Sequence, residues 1–150
     1  MSDRSRRILG VIALLAVAGI AVSSVSLAHH YAKSKTSYCD FGETFNCDVV
    51  NRSAYSVVMG VPVALIGVVG YLALLALATL YRTKAETPVM LLVGALAGLA
   101  FALYLTYVEA FVLAVWCILC LSSLTLIFTI TLLSAILLLY SKRGASSFSS

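Results

Sequence analysis

Charge is what this chain has least of. Of its 150 residues, 11 % are Asp, Glu, Lys or Arg, against about 25 % in an ordinary soluble domain. Hydrophobic residues make up 62 % and the mean hydropathy is +1.06. A water-exposed surface cannot be built from that supply. The shortage excludes a soluble enzyme, a disordered chain and a nucleic-acid binder that works through a basic face. No β-barrel alternation, internal repeat or domain boundary is visible either. What remains is an all-α integral membrane protein, expected as one domain over residues 1–150.

Apolar runs are what the chain has most of. A bilayer-crossing helix needs about 20 apolar residues, and four stretches qualify: residues 8–28, 57–81, 88–108 and 113–140. Residues 88–140 carry one charge, Glu109. As a single helix they would be about 80 Å long, more than twice the hydrocarbon core. The chain must therefore fold back, and the charge predicts a turn at residues 109–112. Backbone polar groups in lipid must be satisfied within the segment, which makes all four spans helical.

Basic residues set the expected orientation. Arg4, Arg6, Arg7, Arg82, Lys84, Lys142 and Arg143 fall on one side, and only Lys33, Lys35 and Arg52 on the other. The richer side is expected to be cytoplasmic, with both termini inside and the loop 29–56 outside. The start also reads as a cleavable signal ending at Ser26-Leu27-Ala28. Its apolar run is too long for that, and retention as a helix is expected. The Ser-rich segment 141–150 is expected to be a flexible cytoplasmic end.

Four cysteines carry the candidate chemistry: Cys39 and Cys47 in the outer loop, Cys117 and Cys120 opening the fourth span. All four fall on the expected outer, oxidising side, which points to disulfide chemistry. Cys117-Ile118-Leu119-Cys120 is a CxxC motif at a helix N-terminus. Residues three apart share a helix face, and the N-terminus favours a thiolate. No His follows Cys120, so c-type haem attachment is excluded. One CxxC without a second lacks the spacing of a zinc site, and no metal is expected. On one straight helix Cys39 and Cys47 would be about 12 Å apart, too far to bridge. The loop must bend between them. A mobile aqueous pair beside a membrane-rim pair suggests a relay between a soluble partner and a lipid-dissolved acceptor. Two static structural disulfides are the competing reading.

With these residues in view, the chain resembles the prokaryotic branch of the vitamin K epoxide reductase family. The resemblance rests on Cys39 and Cys47 with seven residues between them, Ser53 six residues further on, the Cys117–Cys120 motif, and the Gly60-Val-Pro-Val-Ala-Leu-Ile-Gly67 approach to span two. It implies a four-transmembrane-helix bundle around a quinone, with an extracytoplasmic loop between helices one and two. Menaquinone, ubiquinone and a vitamin K-like quinone are all compatible. It further implies that Cys39 exchanges with a thioredoxin-like partner, that Cys47 passes electrons to Cys117, and that Cys120 lies nearest the quinone. Ser53 matches the family's loop Ser/Thr. Ser56 stands where vertebrate enzymes have a quinone-binding Asn, and Leu124 where they have a Tyr. Both departures count against the epoxide as substrate. The 150 residues hold no thioredoxin-like domain, so the expected partner is a separate protein, in the extracytoplasmic space of a cell (inner) membrane.

Other residues have two readings each. Trp116, next to Cys117, is a candidate quinone-pocket residue, as are Tyr104 and Tyr107, whose simpler role is interfacial anchoring. Glu109 is either a hydrated turn residue or a proton relay to the reduced quinone. His29 and His30 suit a helix end at the interface better than a metal. Gly94 and Gly98 form a small-xxx-small pattern expected to pack closely. Asp40, Glu43 and Asp48 make the cysteine loop acidic.

Overall fold

The computed structural model describes residues 3–31, 40–41, 45–46, 50, 53–81 and 83–149. Four helices dominate: α1 (Asp3–Tyr31), α2 (Val63–Thr79), α3 (Thr87–Tyr107) and α4 (Ile118–Ser149). Three segments are long and apolar enough to cross a membrane: Asp3–Ala28, Thr87–Leu113 and Ile118–Ser147. The fourth, α2, is a 17-residue apolar helix, about 25 Å long at 1.5 Å per residue.

Consecutive helices run antiparallel. α1 packs on α2 and α4, α3 packs on α4, and α2 closes the ring against α3. One end of the bundle is a dry core of Leu9 and Ile12 from α1, Leu74 and Ala78 from α2, Leu91 and Ala95 from α3, and Ile130 and Leu137 from α4. These residues recur at intervals of three, four and seven, the stripe that a helix presents to one side. The burial pattern suits lipid. Ser23, Ser26, Thr131 and Ser134 are buried, whereas Leu14 is 73 % and Leu80 is 78 % exposed. Small and polar residues inside with large apolar residues outside is how helices associate where the solvent is hydrocarbon.

Close packing uses the glycines. A Cβ on Gly98 would lie 3.2 Å from Ile127 on α4, and one on Gly94 would lie 3.4 Å from Leu74 on α2. The 94–98 pattern therefore packs as its spacing predicts. Gly19 lies flat against Tyr71, where a Cβ would come within 2.4 Å of the ring.

The connections differ from the sequence expectation in three places. Span two does not begin at residue 57. Two short strands, β3 (Val57–Val58) and β4 (Val61–Pro62), pair antiparallel there. Met59 and Gly60 both take positive φ, 52° and 85°, the signature of a tight type I′ hairpin. The helix starts only after Pro62, which has extended φ and ψ at the N-cap and donates no N–H. The turn before α4 is not at 109–112 either. α3 continues through a π-helical turn, Val108–Leu113, and the chain reverses at Ala114, in the left-handed region. Glu109 is 1 % exposed, so its charge marks an inward-facing residue and not a hydrated corner. Lastly, the segment after residue 140 continues α4 to Ser149. Each added residue there gains one helical hydrogen bond without a new nucleus.

The cysteine loop is described only in part. The strands Asp40–Phe41 (β1) and Phe45–Asn46 (β2) pair antiparallel, Asp40 with Asn46 and Phe41 with Phe45. The chain thus reverses within the segment that separates the two loop cysteines, as their spacing demanded. Cys39 and Cys47 themselves lie outside the described residues, as do Lys33, Lys35, Glu43, Asp48, Arg52 and Arg82.

Candidate functional site

The C-terminal ends of α1 and α3 and the N-terminal ends of α2 and α4 meet at the other end of the bundle. They enclose a cavity of about 370 Å³, within the range of small-molecule sites. Its wall is mainly apolar, with Ile66, Phe101, Leu105, Leu113 and Ile127 among the lining residues. A few polar groups interrupt it: His30, Ser53, Ser56, Tyr71, Glu109, Cys120 and Ser123.

Glu109 organises the connection between α3 and α4. A π-helical turn inserts one residue into the helical register and redirects the side chains that follow. Here the turn holds Glu109 buried. Its backbone carbonyl accepts N–H groups from Ala114 and from Val115, the latter at 3.2 Å. Its Oε2 accepts the backbone N–H of Cys117 at 3.1 Å. One residue therefore fixes both ends of the reversal. The other carboxyl oxygen, Oε1, is buried and has no hydrogen-bond partner among the described residues. Leaving such a group unpaired costs about 1–3 kcal/mol.

Cys117 is fully buried immediately before α4, and its carbonyl accepts the N–H of Leu121 at 3.0 Å. Cys120 lies in the first turn of α4 and lines the cavity. Both are free thiols. In the link between the two flanking spans, Cys117 is held below the ordinary cysteine value. The Cys120 thiol donates a hydrogen bond to it, which outweighs its burial and the repulsion of the Glu109 carboxylate. The arrangement separates two roles. Cys120 faces a ligand-sized space, and Cys117 sits behind it as the more acidic thiol.

Val50 packs against Cys117. It stands three residues after Cys47 in the sequence, so the outer loop returns to the bundle beside the buried cysteine. A ladder of hydroxyls continues from there. Ser53 donates to the carbonyl of Val50 at 2.8 Å and Ser56 to that of Ser53 at 2.7 Å. Ser56 also lies 3.5 Å from Nδ1 of His30.

The structure brings together Ser53, Ser56 and Cys120 on one cavity wall, with Cys117 directly behind it. It does not bring Trp116 or Leu124 to that wall. Tyr104 and Tyr107 are 51 % and 59 % exposed, on the outer face of α3. Tyr71 and Ser123 are cavity residues that the sequence did not suggest. The Tyr71 hydroxyl donates to the Ser123 carbonyl at 3.0 Å and lies 2.8 Å from its Oγ. The one available signal was a polar aromatic in the middle of an otherwise apolar span. Among the described residues no group of three or more His, Cys, Asp or Glu side chains is placed to hold a metal.

Residues 10–135, which contain this cavity and all four cysteines, match the model of the Vitamin K epoxide reductase family. The chain belongs to that family. Comparison with curated proteins gives no match. Family members are membrane-bound, quinone-associated oxidoreductases, and this chain is accordingly an oxidoreductase with membrane-spanning helices.

Proposed function

We propose that this member of the vitamin K epoxide reductase family is a membrane thiol–quinone oxidoreductase that supports disulfide formation outside the cytoplasm. The observation that carries the reading is the division of labour at Cys117 and Cys120. Cys120 lines an apolar, ring-sized cavity, while Cys117 packs against the chain that returns from the cysteine loop. Electrons enter from a thioredoxin-like extracytoplasmic partner at Cys39 and Cys47, pass to Cys117 and Cys120, and end on a quinone. Thiol–disulfide exchange runs through a mixed disulfide, and access decides which sulfur is attacked. Cys117 is the one reached from the loop. Direction follows potential: about 30 mV equals 1.4 kcal/mol for two electrons, and a quinone of higher potential pulls the relay toward oxidation.

Ser53 and Ser56 each give their single proton to a backbone carbonyl. They shape the cavity mouth and serve a quinone as wall and not as donors. Leu124 and Ser56 replace the vertebrate Tyr and Asn, which favours the quinone over its epoxide as substrate.

Non-reducing mass spectrometry of single-cysteine variants tests the relay. Cys120→Ser removes the resolving thiol and is expected to accumulate a Cys47–Cys117 disulfide with loss of quinone reduction. A Cys39–Cys117 linkage instead would reverse the assigned order. Full quinone reduction by Cys120→Ser or by Cys117→Ser would make the motif structural. Thiol titration of the wild type with and without quinone separates the relay from static disulfides, since only the relay consumes thiols when quinone is added.

A further inference from the structure

We infer that Glu109 carries a proton between the Cys120 thiol and the quinone, a role that rests on the thiol–quinone reading above. Three observations converge on it. Glu109 is 1 % exposed and lies in the wall of the cavity that Cys120 lines. Its Oε2 is engaged by the Cys117 N–H, whereas its buried Oε1 has no N–H or O–H donor among the described residues, and the Cys120 thiol is the side chain within reach of the carboxyl. Three of the cavity hydroxyls are committed: Ser53 and Ser56 donate to backbone carbonyls, and Tyr71 donates to Ser123. A quinone has two carbonyl oxygens and no donor of its own, so it must be supplied with protons as it is reduced. Glu109 is the only acidic side chain among the described residues that line the cavity, and a carboxyl beside the reacting sulfur is a group able to supply one.

The step balances as follows. Two S–H bonds break and one S–S bond forms between Cys117 and Cys120. The electron pair passes to the quinone, and two protons end on its two ring oxygens. Glu109 accepts one of these protons at Oε1 from the sulfur of Cys120, gives it to the nearer ring oxygen, and finishes as it began. The opposite carboxyl oxygen keeps its bond to the Cys117 N–H throughout, so the start of α4 does not shift during the transfer.

Glu109→Gln is the informative substitution. The amide oxygen still accepts the Cys117 N–H, but the side chain no longer takes up and releases a proton. With the full chain in nanodiscs, a small dithiol and a short-chain quinone, kcat is expected to fall by about 100-fold or more. KM should stay within about threefold, and the dithiol should still reduce the Cys117–Cys120 disulfide, so that the loss falls on the quinone step. Glu109→Asp should recover part of the rate. Redox-difference infrared spectra of the wild type should show a carboxyl band that changes on quinone reduction. Glu109 is the only acidic residue among the described residues that line the cavity, and a shift of the band in Glu109→Asp assigns it even if the Gln variant fails to fold. A Gln variant with wild-type kcat, or a wild type that turns over without any carboxyl change, overturns the inference and leaves the relay standing. A wild type that oxidises no thiols with quinone overturns the underlying reading itself.

Discussion

At the scale of single residues, the acidity of Cys117 depends on its neighbour. The Cys120 thiol donates to it, and that hydrogen bond favours the thiolate over the thiol. A lowered value means that Cys117 stays reactive to a lower pH than an ordinary cysteine and loses reactivity only as pH falls through its own midpoint. Cys120→Ala removes the thiol donor and leaves burial and the Glu109 charge, which act upward, opposed only by the backbone N–H groups of Cys120 and Leu119, which act downward. The pH midpoint for exchange of Cys117 with a small disulfide should then move to higher pH. Cys120→Ser keeps a hydroxyl donor in the same place, and its midpoint should move less. Equal midpoints in the wild type and both variants would show that the partner is not the cause. Glu109 illustrates a different lesson at this scale. A lone carboxylate in an apolar run reads as a solvent-facing corner, because burial of a charge is costly without partners. Its partner, the N–H of Cys117, is a backbone group eight residues away and carries no side-chain signal in the sequence.

At the scale of elements, the four apolar runs, the helical class and the CxxC at the head of α4 were all legible, because each depends on local pattern and length. The boundaries were not. α2 begins six residues after its apolar run does, since Val57–Pro62 is as hydrophobic as a helix yet is turned by Met59 and Gly60. α4 starts at Ile118 and not at residue 113, because the apolar residues before it complete a π-helical turn and a left-handed reversal. Ser53 and Ser56, expected at the quinone site through the family resemblance, line the cavity, while the expectation for Trp116 rested on adjacency to Cys117 alone. Neighbours in sequence diverge at a chain reversal, and the indole lies off the cavity wall. Tyr71 was invisible because its role needs α1 and α4. Gly19 makes room for its ring, and Ser123 receives its hydroxyl. This three-helix contact can be tested directly. Gly19→Ala places a Cβ 2.4 Å from the Tyr71 ring, so the ring or α1 must shift. Overpacking of this kind costs about 1–3 kcal/mol. A lowered melting temperature in detergent is expected, together with weaker quinone binding because the displaced ring borders the cavity. An unchanged melting temperature would mean that the α1–α2 contact is looser than this packing.

At the scale of the whole molecule, the site and the described lysines and arginines lie at opposite ends. The ends of α1 and α3 and the starts of α2 and α4 meet at the cavity. The N-terminus, the 80–86 link and the end of α4 share the other end with Arg4, Arg6, Arg7, Lys84, Lys142 and Arg143. Antiparallel helices of odd and even order require this segregation once the termini are on one side, and the positive-inside rule assigns that side to the cytoplasm. The disulfide-forming chemistry proposed for the site requires the same orientation, since thiols are held reduced in the cytosol and disulfides persist outside it. A membrane-impermeant amine reagent applied to sealed right-side-out cells should therefore leave Lys84 and Lys142 unmodified and label them in inverted vesicles. Lys33 and Lys35, expected in the outer loop, should show the opposite pattern. Labelling of Lys84 from outside would place the mouth of the cavity in the reducing compartment. Disulfide export through Cys117 and Cys120 would then have no oxidising side to serve, and the same relay would have to run from quinol toward protein thiols.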